Sequence, residues 1–187
     1  MADGPRERLV ASTIELLRER GVDATGVAEL LDHSQTARGS IYKHFPGGKS
    51  ELVTASMKEA GEQLRLGLRQ FAEAGDVAAL IHGLVGYLAT ELNDSDFRLG
   101  CPIVAAAVAS PDTAGVQRAA AEVFAAWIDE IATTLEREGR SVEDARTLAG
   151  FVVDSIEGAR VRARCSHSDA PLVQAGRHLT ALLAATA

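Results

Sequence analysis

The spacing of the apolar residues constrains the fold of this 187-residue chain more than any other feature of its sequence. Over much of the chain they recur at the three- and four-residue steps that place side chains on one face of an α-helix. The segment 49–74 shows this spacing in Met57, Ala60, Leu64 and Leu68. No segment keeps up the two-residue alternation that is typical of a half-buried strand. The sequence therefore predicts an all-α fold.

Residues that stop or cap a helix divide the chain into about nine predicted helices. Gly21, the run Pro46-Gly47-Gly48 and Gly75 are predicted to break the chain. The side-chain oxygens of Thr25, Asp76 and Ser141 can accept hydrogen bonds from free backbone N–H groups, which makes these residues predicted N-caps. Besides a short helix after Thr25, the predicted helices span about residues 6–20, 36–44, 49–74, 77–92, 102–109, 112–138, 142–164 and 169–184.

The composition excludes several classes of protein. No apolar stretch approaches the ~20 residues of a membrane helix, and residues 1–8 lack the apolar core of a signal peptide, so we expect a cytoplasmic protein. The two cysteines, Cys101 and Cys165, are far apart, and the histidines are scattered without metal-ligand spacing. No pair of carboxylates suggests acid–base catalysis. We expect no enzymatic activity, no cofactor and no metal.

The charge is unevenly distributed along the chain. The net charge of −7 argues by itself against nucleic-acid binding. Residues 1–50, however, hold seven acidic and seven basic residues, so the excess of acid lies in residues 51–187. Residues 33–50 contain three basic residues, two histidines and no acidic residue. A basic segment on an acidic protein indicates a small DNA-binding region joined to a body with another role.

The three short N-terminal helices must pack as one compact unit to bury a core, which is typical of a helix-turn-helix. The third helix is the predicted recognition helix. Its residues Ile41 and Phe45 are predicted to face inward, and Gly39 allows the backbone to approach DNA closely. Basic side chains can neutralise phosphates or reach base edges, and hydroxyl groups can bind phosphate oxygens. The predicted DNA-binding residues are Thr25, Thr36, Ala37, Arg38, Gly39, Ser40, Tyr42, Lys43, His44 and Lys49. For the charged residues alone, a solvated surface is the alternative, and Thr25 can serve only as a cap.

These N-terminal residues resemble a known family. The segment 25–52, TGVAELLDHSQTARGSIYKHFPGGKSEL, is similar to the DNA-binding domain of TetR-family regulators, above all in RGSIYKHF and in Lys49. Three positions depart from the family pattern. Gln35 stands where Gly or Asn is usual, so a left-handed backbone there costs roughly 1 kcal/mol. Thr36 replaces an apolar turn residue, and Gly26 follows the predicted N-cap.

A second resemblance lies in the body of the chain. The residues GCPIVA at 100–105 are similar to the Gly-Cys-Pro segment of TetR regulators typified by LmrA and YxaF. The family resemblance implies a homodimer, usually a repressor, that leaves a near-palindromic operator when a small ligand binds. It also implies a DNA-binding domain at residues 1–48 and a ligand-binding and dimerisation domain at 49–187, whose last two long helices form the dimer.

The same family resemblance leads to candidate ligand and dimer residues. A pocket for a lipophilic or aromatic effector needs aromatic and aliphatic walls. The predicted ligand-binding residues are Tyr87, Cys101, Val104, Phe124, Trp127 and Phe151. The predicted dimer residues are Val152, Ile156, Leu179 and Leu182. Each aromatic residue has the core as its alternative, and Cys101 is either a small buried hydrophobe or a redox-sensitive thiol at a helix start.

Two other functions remain open on the sequence alone. A helical small-molecule-binding protein or enzyme with a non-functional DNA head would show no salt-sensitive DNA binding and would tolerate Tyr42→Ala. An activator or architectural DNA protein without a ligand would bind DNA whatever small molecule is present.

Overall fold

The computed structural model describes residues 4–73, 75–110 and 113–185. Within these residues the regular structure is nine helices without a strand, which confirms the predicted fold class. The helices are α1 (Pro5–Arg20), α2 (Val27–His33), α3 (Arg38–His44), α4 (Lys49–Glu73), α5 (Val77–Asp94), α6 (Pro102–Ala107), α7 (Ala114–Arg137), α8 (Val142–Ser166) and α9 (Ala170–Ala185). The predicted end of α4 at Ala74 and the predicted start of α7 at Asp112 lie outside the described residues.

The predicted N-caps have different outcomes. Asp76 caps α5 by accepting from the backbone N–H of Ala79 (2.9 Å), and Ser141 caps α8 by accepting from that of Asp144 (3.1 Å). The prediction for Thr25 is wrong, because the N-cap of α2 is Gly26. The Thr25 hydroxyl instead donates to the carbonyl oxygen of Gly21 (2.7 Å). A hydroxyl that is already bound within the preceding turn is not available to cap the next helix.

The chain divides into two compact units. The first comprises the described residues of Met1–Glu62 and Cys101–Val123, and the second those of Gln63–Gly100 and Phe124–Ala187. Helix α6 therefore belongs to the same unit as the N-terminal helices, whereas the predicted division by function falls at residue 48. That functional division stays a prediction.

The first unit has its core where α1, α2, α3 and the start of α4 meet. The buried apolar residues of this core are Leu9, Val10, Leu16, Leu30, Ile41, Phe45 and Leu52. Helix α6 also packs against α1, and the backbone N–H of Ser110, beyond the end of α6, donates to the Asp23 carboxylate (3.1 Å). The N-terminal helices thus share one unit with α6, joined by packing and by a hydrogen bond.

In the second unit, α9 packs against both α5 and α8. At the α5–α9 contact a Cβ atom on Gly176 would lie 2.7 Å from Val85 Cγ2, so the two helices approach closely there. Arg160 of α8 is buried and donates to the Glu91 carboxylate (3.0 Å) and to the carbonyl oxygen of Gly100 (3.4 Å). No helix in the described part of the chain is long and apolar enough to cross a membrane.

A half-buried ion cluster joins α4 to α7 in the same unit. Glu130 of α7 accepts hydrogen bonds from Arg65 and Arg69 of α4, with 2.5 Å between Arg69 Nη2 and Glu130 Oε1. Burial raises the pKa of the Glu130 carboxyl, but the hydrogen bonds and charges of the two arginines outweigh burial. The pKa of Glu130 therefore lies below its ordinary value.

Candidate nucleic-acid interface

Helix α3 has one buried face and one exposed face. Ile41 and Phe45 are 1% and 2% exposed, respectively, and belong to the core of the first unit. Tyr42 is 59% exposed, and Arg38 and Lys43 are exposed beside it. The structure describes no ion pair for Arg38 or Lys43 among residues 4–73, 75–110 and 113–185. The outer face of α3 thus presents two cations and a phenol, held in place by two apolar anchors.

Two other α3 positions leave room for close approach. Gly39 is exposed, and a Cβ atom built there would have nothing within 4 Å. Ala37, the N-cap of α3, is also exposed, whereas Thr36, Ser40 and His44 are half-buried. The start of α3 therefore offers backbone that a DNA surface can reach without obstruction.

The turn between α2 and α3 has the left-handed residue that the sequence predicts. Gln35 has a φ of +50°, and its side chain donates to the carbonyl oxygen of Asp32 (2.6 Å). Arg8 of α1 donates to the carbonyl oxygen of Ser34 (3.2 Å), and the Ser34 and Thr36 hydroxyls are hydrogen-bonded to each other (2.8 Å). These bonds explain how the turn forms without its usual glycine and apolar residue.

Two predicted DNA-binding residues make internal hydrogen bonds instead. The Lys49 ammonium donates to the carbonyl oxygen of Val22 (2.9 Å), and the Lys49 side chain is half-buried. Thr25 is buried, with its hydroxyl bound to Gly21. Both residues tie down the loop between α1 and α2. Their predicted contact with DNA would therefore require Lys49 to exchange its partner, whereas the hydroxyl and the backbone N–H of Thr25 are already bound to the carbonyl oxygens of Gly21 and Val22.

The structure adds a cation that the predicted set leaves out. The Arg6 guanidinium lies 5.6 Å from the centre of the Phe45 ring, so an exposed positive charge stands beside the end of α3. Its position at the first turn of α1, just after Pro5, carries no sequence signal for that contact. Nearby, the Tyr42 ring lies close to Gly48, whose φ of +71° favours glycine.

The predicted ligand residues do not share one environment. Cys101 and Val104 belong to the first unit, and the other four belong to the second. Trp127 is buried and packs edge-on against the half-buried Phe124, with 5.5 Å between ring centres. Tyr87 and Phe151 are exposed, and the Tyr87 hydroxyl donates to the Glu91 carboxylate (3.1 Å). Cys101 is buried and Val104 is half-buried.

Three of the four predicted dimer residues lie inside the chain. Val152, Ile156 and Leu179 are buried, because their faces of α8 and α9 pack within the second unit. Leu182 is 40% exposed. Other large exposed apolar side chains on these two helices are Val142, Phe151, Val161 and Val173. The apolar surface that α8 and α9 present to solvent therefore shares Leu182 with the predicted set but not the other three residues.

Comparison with known proteins decides the family. The model of the bacterial regulatory proteins of the tetR family matches residues 9–55. The model described as the transcriptional regulator LmrA/YxaF-like C-terminal domain matches residues 77–178. The chain belongs to the TetR family. It is a DNA-binding transcriptional regulator, of a class that consists of regulators and not of enzymes.

Relatives of the same family match over nearly the whole chain. An uncharacterized HTH-type transcriptional regulator of Mycobacterium tuberculosis is 37% identical over 97% of this chain and 95% of its own length. A TetR regulatory protein of Rhodobacter sphaeroides has the same fold, with a TM-score of 0.83, 22% identity, and coverage of 93% of this chain and 96% of that one. A cysteine mutant of the TetR family regulator CifR, complexed with 26-bp double-strand operator DNA, has a TM-score of 0.77, 17% identity, and coverage of 92% and 94%.

Proposed function

We propose that the chain is a repressor that binds a near-palindromic operator as a homodimer and is released by a small lipophilic or aromatic ligand in the cytoplasm. Residues 1–48 bind DNA, and residues 49–187 bind the ligand and the second subunit. The observation that carries this proposal is the two-faced α3, with Arg38, Tyr42 and Lys43 outside and Ile41 and Phe45 in the core. The CifR relative with this fold was solved on operator DNA.

In this proposal α3 enters the major groove. A short helix that is anchored on one side can lay its other side against base edges and phosphates. The long guanidinium of Arg38 suits bidentate contact with guanine, whereas Tyr42 and Lys43 suit phosphate oxygens. Arg6 adds a further phosphate contact from the start of α1. Two copies of α3 about 34–36 Å apart would reach successive major grooves.

The exposed apolar residues of α8 support the dimer. Phe151 and Val161 are 51% and 49% exposed, and Gly158 between them is exposed with nothing within 4 Å of an added Cβ. A face with large apolar side chains beside a glycine allows close approach of a second helix. An isolated chain would leave these side chains in water, and a partner subunit would cover them. Twofold symmetry would then give the operator its near-palindromic form.

Release requires a ligand that favours the wrong spacing of the two DNA-binding domains. Of the predicted ligand residues, we propose Tyr87, Phe124 and Trp127 of the second unit for this site, because Phe151 lies on the face of α8 that is assigned to the dimer. Helix α4 runs from the end of the DNA-binding domain into the second unit. A ligand that shifts α4 would thus change the position of α3 in each subunit.

Fluorescence anisotropy with DNA flanking the protein's own gene tests the proposal. We expect a specific complex whose affinity falls with salt, with a slope of about 0.9 per phosphate contact in a double-logarithmic plot. Tyr42→Ala should weaken binding to all sequences, and Arg38→Ala should also relax base preference. Val142→Ala, which truncates an exposed side chain at the first turn of α8, is the control and should leave the affinity unchanged.

Two results would contradict the proposal. Equal affinity of the Tyr42→Ala and Val142→Ala variants would show that α3 is not the contact surface. Failure to bind any fragment of a genomic library would favour a ligand-binding protein with a non-functional DNA head.

A further inference from the structure

A groove between α5 and α9 is a candidate binding site outside the interface described above. Its cavity volume is about 580 Å³, which is within the range of small-molecule sites. The lining residues are Ile81, His82, Val85, Gly86, Ala89, Val173, Gly176, Arg177, Thr180, Ala181 and Ala184. Most of these side chains are apolar, so the groove has the walls that an alkyl chain or a similar apolar body needs.

Three features shape the groove. Its floor lies where Gly176 of α9 approaches Val85 of α5, because the missing side chain brings the helices together. Gly86 leaves an opening in the α5 wall, since a Cβ atom there would have nothing within 4 Å. On the α9 wall, Val173 is 50% exposed, which leaves apolar surface open to a ligand.

The polar side chains that line the groove are an arginine, a histidine and a threonine. Arg177 is exposed and lines the groove, and it has no ion pair with any residue that the structure describes. His82 and Thr180 line the same groove and add a nitrogen and a hydroxyl, and none of the residues that the structure describes there contributes a carboxylate. An apolar groove that carries an unpaired guanidinium is complementary to an amphiphile with an anionic head group.

The groove lies on a different side of α9 from the exposed leucine. Thr180 lines the groove, and Leu182 follows two residues later, about 200° further around a helix of 3.6 residues per turn. Leu182 therefore points away from the groove, and a subunit that covers Leu182 and the outer face of α8 does not need to fill it.

We propose that this groove binds a linear amphiphile with a carboxylate head, whose alkyl chain lies along the α5–α9 walls and whose carboxylate pairs with Arg177. Its apolar chain would displace water from the groove walls, which supplies most of the binding free energy. The carboxylate would select the orientation and discriminate against neutral chains of the same length. This site shares no residue with the proposed ligand site and goes beyond the proposed function, and its occupation is measurable without DNA.

Isothermal titration calorimetry of the full-length protein with decanoate tests the site, with 1-decanol as the uncharged match. We expect decanoate to bind more tightly than 1-decanol. Arg177→Gln should weaken decanoate binding about threefold, the value of one solvent-accessible charge pair, and leave 1-decanol binding unchanged. Arg118→Gln removes another exposed arginine, which does not line the groove, and should change neither.

A second variant tests the apolar walls. Gly86→Leu should fill the groove and abolish binding of both compounds, and it should fold because leucine favours a helix more than glycine. The proposal fails if decanoate does not bind the protein, if Arg177→Gln and Arg118→Gln have equal effects, or if Gly86→Leu binds decanoate normally. If the native protein binds decanoate but no operator DNA, the proposed function is wrong and the proposal for this groove is still supported.

Discussion

Gln35 occupies the left-handed turn of the helix-turn-helix with a side chain that is not glycine. We expect Gln35→Val to be about 1–2 kcal/mol less stable than Gln35→Gly, because a β-branched residue is disfavoured at positive φ. Urea unfolding followed by circular dichroism measures the difference. Gln63, exposed in the middle of α4, is the matched control. There the order should reverse, because valine forms a helix more readily than glycine. The same order at both positions would contradict a strained turn.

Individual residue roles were predictable where the residue acts locally. The left-handed position of Gln35 follows from the family resemblance of the turn, and the inward Ile41 and Phe45 follow from their four-residue spacing. The internal bond of Lys49 was not predictable, because its acceptor at Val22 lies 27 residues earlier in the chain. A side chain that can reach either phosphate or a backbone carbonyl gives the same sequence signal in both cases.

At the scale of elements, the contact of α5 with α9 depends on Gly176. Gly176→Ala should lower the free energy of unfolding by about 1–3 kcal/mol, because its methyl group would overlap Val85, which can rotate only about χ1. Thermal or urea unfolding measures the loss, and adding Val85→Ala should recover part of it. Gly86→Ala on the same pair of helices should instead stabilise by about 0.5–1 kcal/mol. An equal effect of the two glycine substitutions would refute the close approach.

The ion cluster of α4 and α7 predicts a pH dependence. The pKa of Glu130 is lowered in the folded state, so its contribution to stability is present above the pKa of the unfolded chain. That contribution is lost as the pH falls through the folded pKa. The difference in Tm between the native protein and Glu130→Gln should therefore be largest near neutral pH and shrink in acid.

Glu122→Gln is the control for this cluster. Glu122 pairs with Lys58 at 3.0 Å, but both side chains are more than half exposed, so the pair contributes little. Its Tm difference should be small at every pH. A Glu130→Gln difference that stays constant with pH would show that Glu130 stabilises through packing and not through its charge.

The elements themselves were largely predictable. Two of the three capping residues, Asp76 and Ser141, mark the helix starts that the structure has, because a cap acts on the next three residues of its own helix. Helix α3 begins at Arg38 and not at the predicted residue 36, because the turn continues through the hydrogen-bonded hydroxyls of Ser34 and Thr36. Such turn bonds are not encoded by helical periodicity.

At the scale of the whole molecule, dimerisation should depend on the outer face of α8. Phe151→Glu combined with Val161→Glu should give monomers in size-exclusion chromatography with light scattering, because each copy would bury unpaired charges in the interface. Operator affinity should fall with it, since two copies of α3 no longer bind together. Val142→Glu alters another exposed valine of α8, 68% exposed at the first turn, and should remain dimeric. Dimers in the double variant would place the interface elsewhere.

The organisation of the whole molecule was harder to predict from the sequence than single residues or helices were. The basic segment in an acidic chain located the DNA-binding end, but the burial of Val152 and Ile156 depends on which side of α8 faces its neighbours. Apolar periodicity identifies two apolar sides of a helix without saying which one meets its own chain. That choice is set by long-range packing between α5, α8 and α9.

The packing of α6 on α1 has a consequence for protein engineering. Hybrid regulators are built by exchanging DNA-binding domains between homologous proteins, and the predicted domain boundary would place the fusion point at residue 48. Such a graft would join a foreign α1 to the original α6 and would separate Asp23 from the Ser110 amide that it binds. A transplanted DNA-binding domain should therefore carry its own α6. The module to transfer is then two separate segments of the gene, although these segments are in contact in the folded protein.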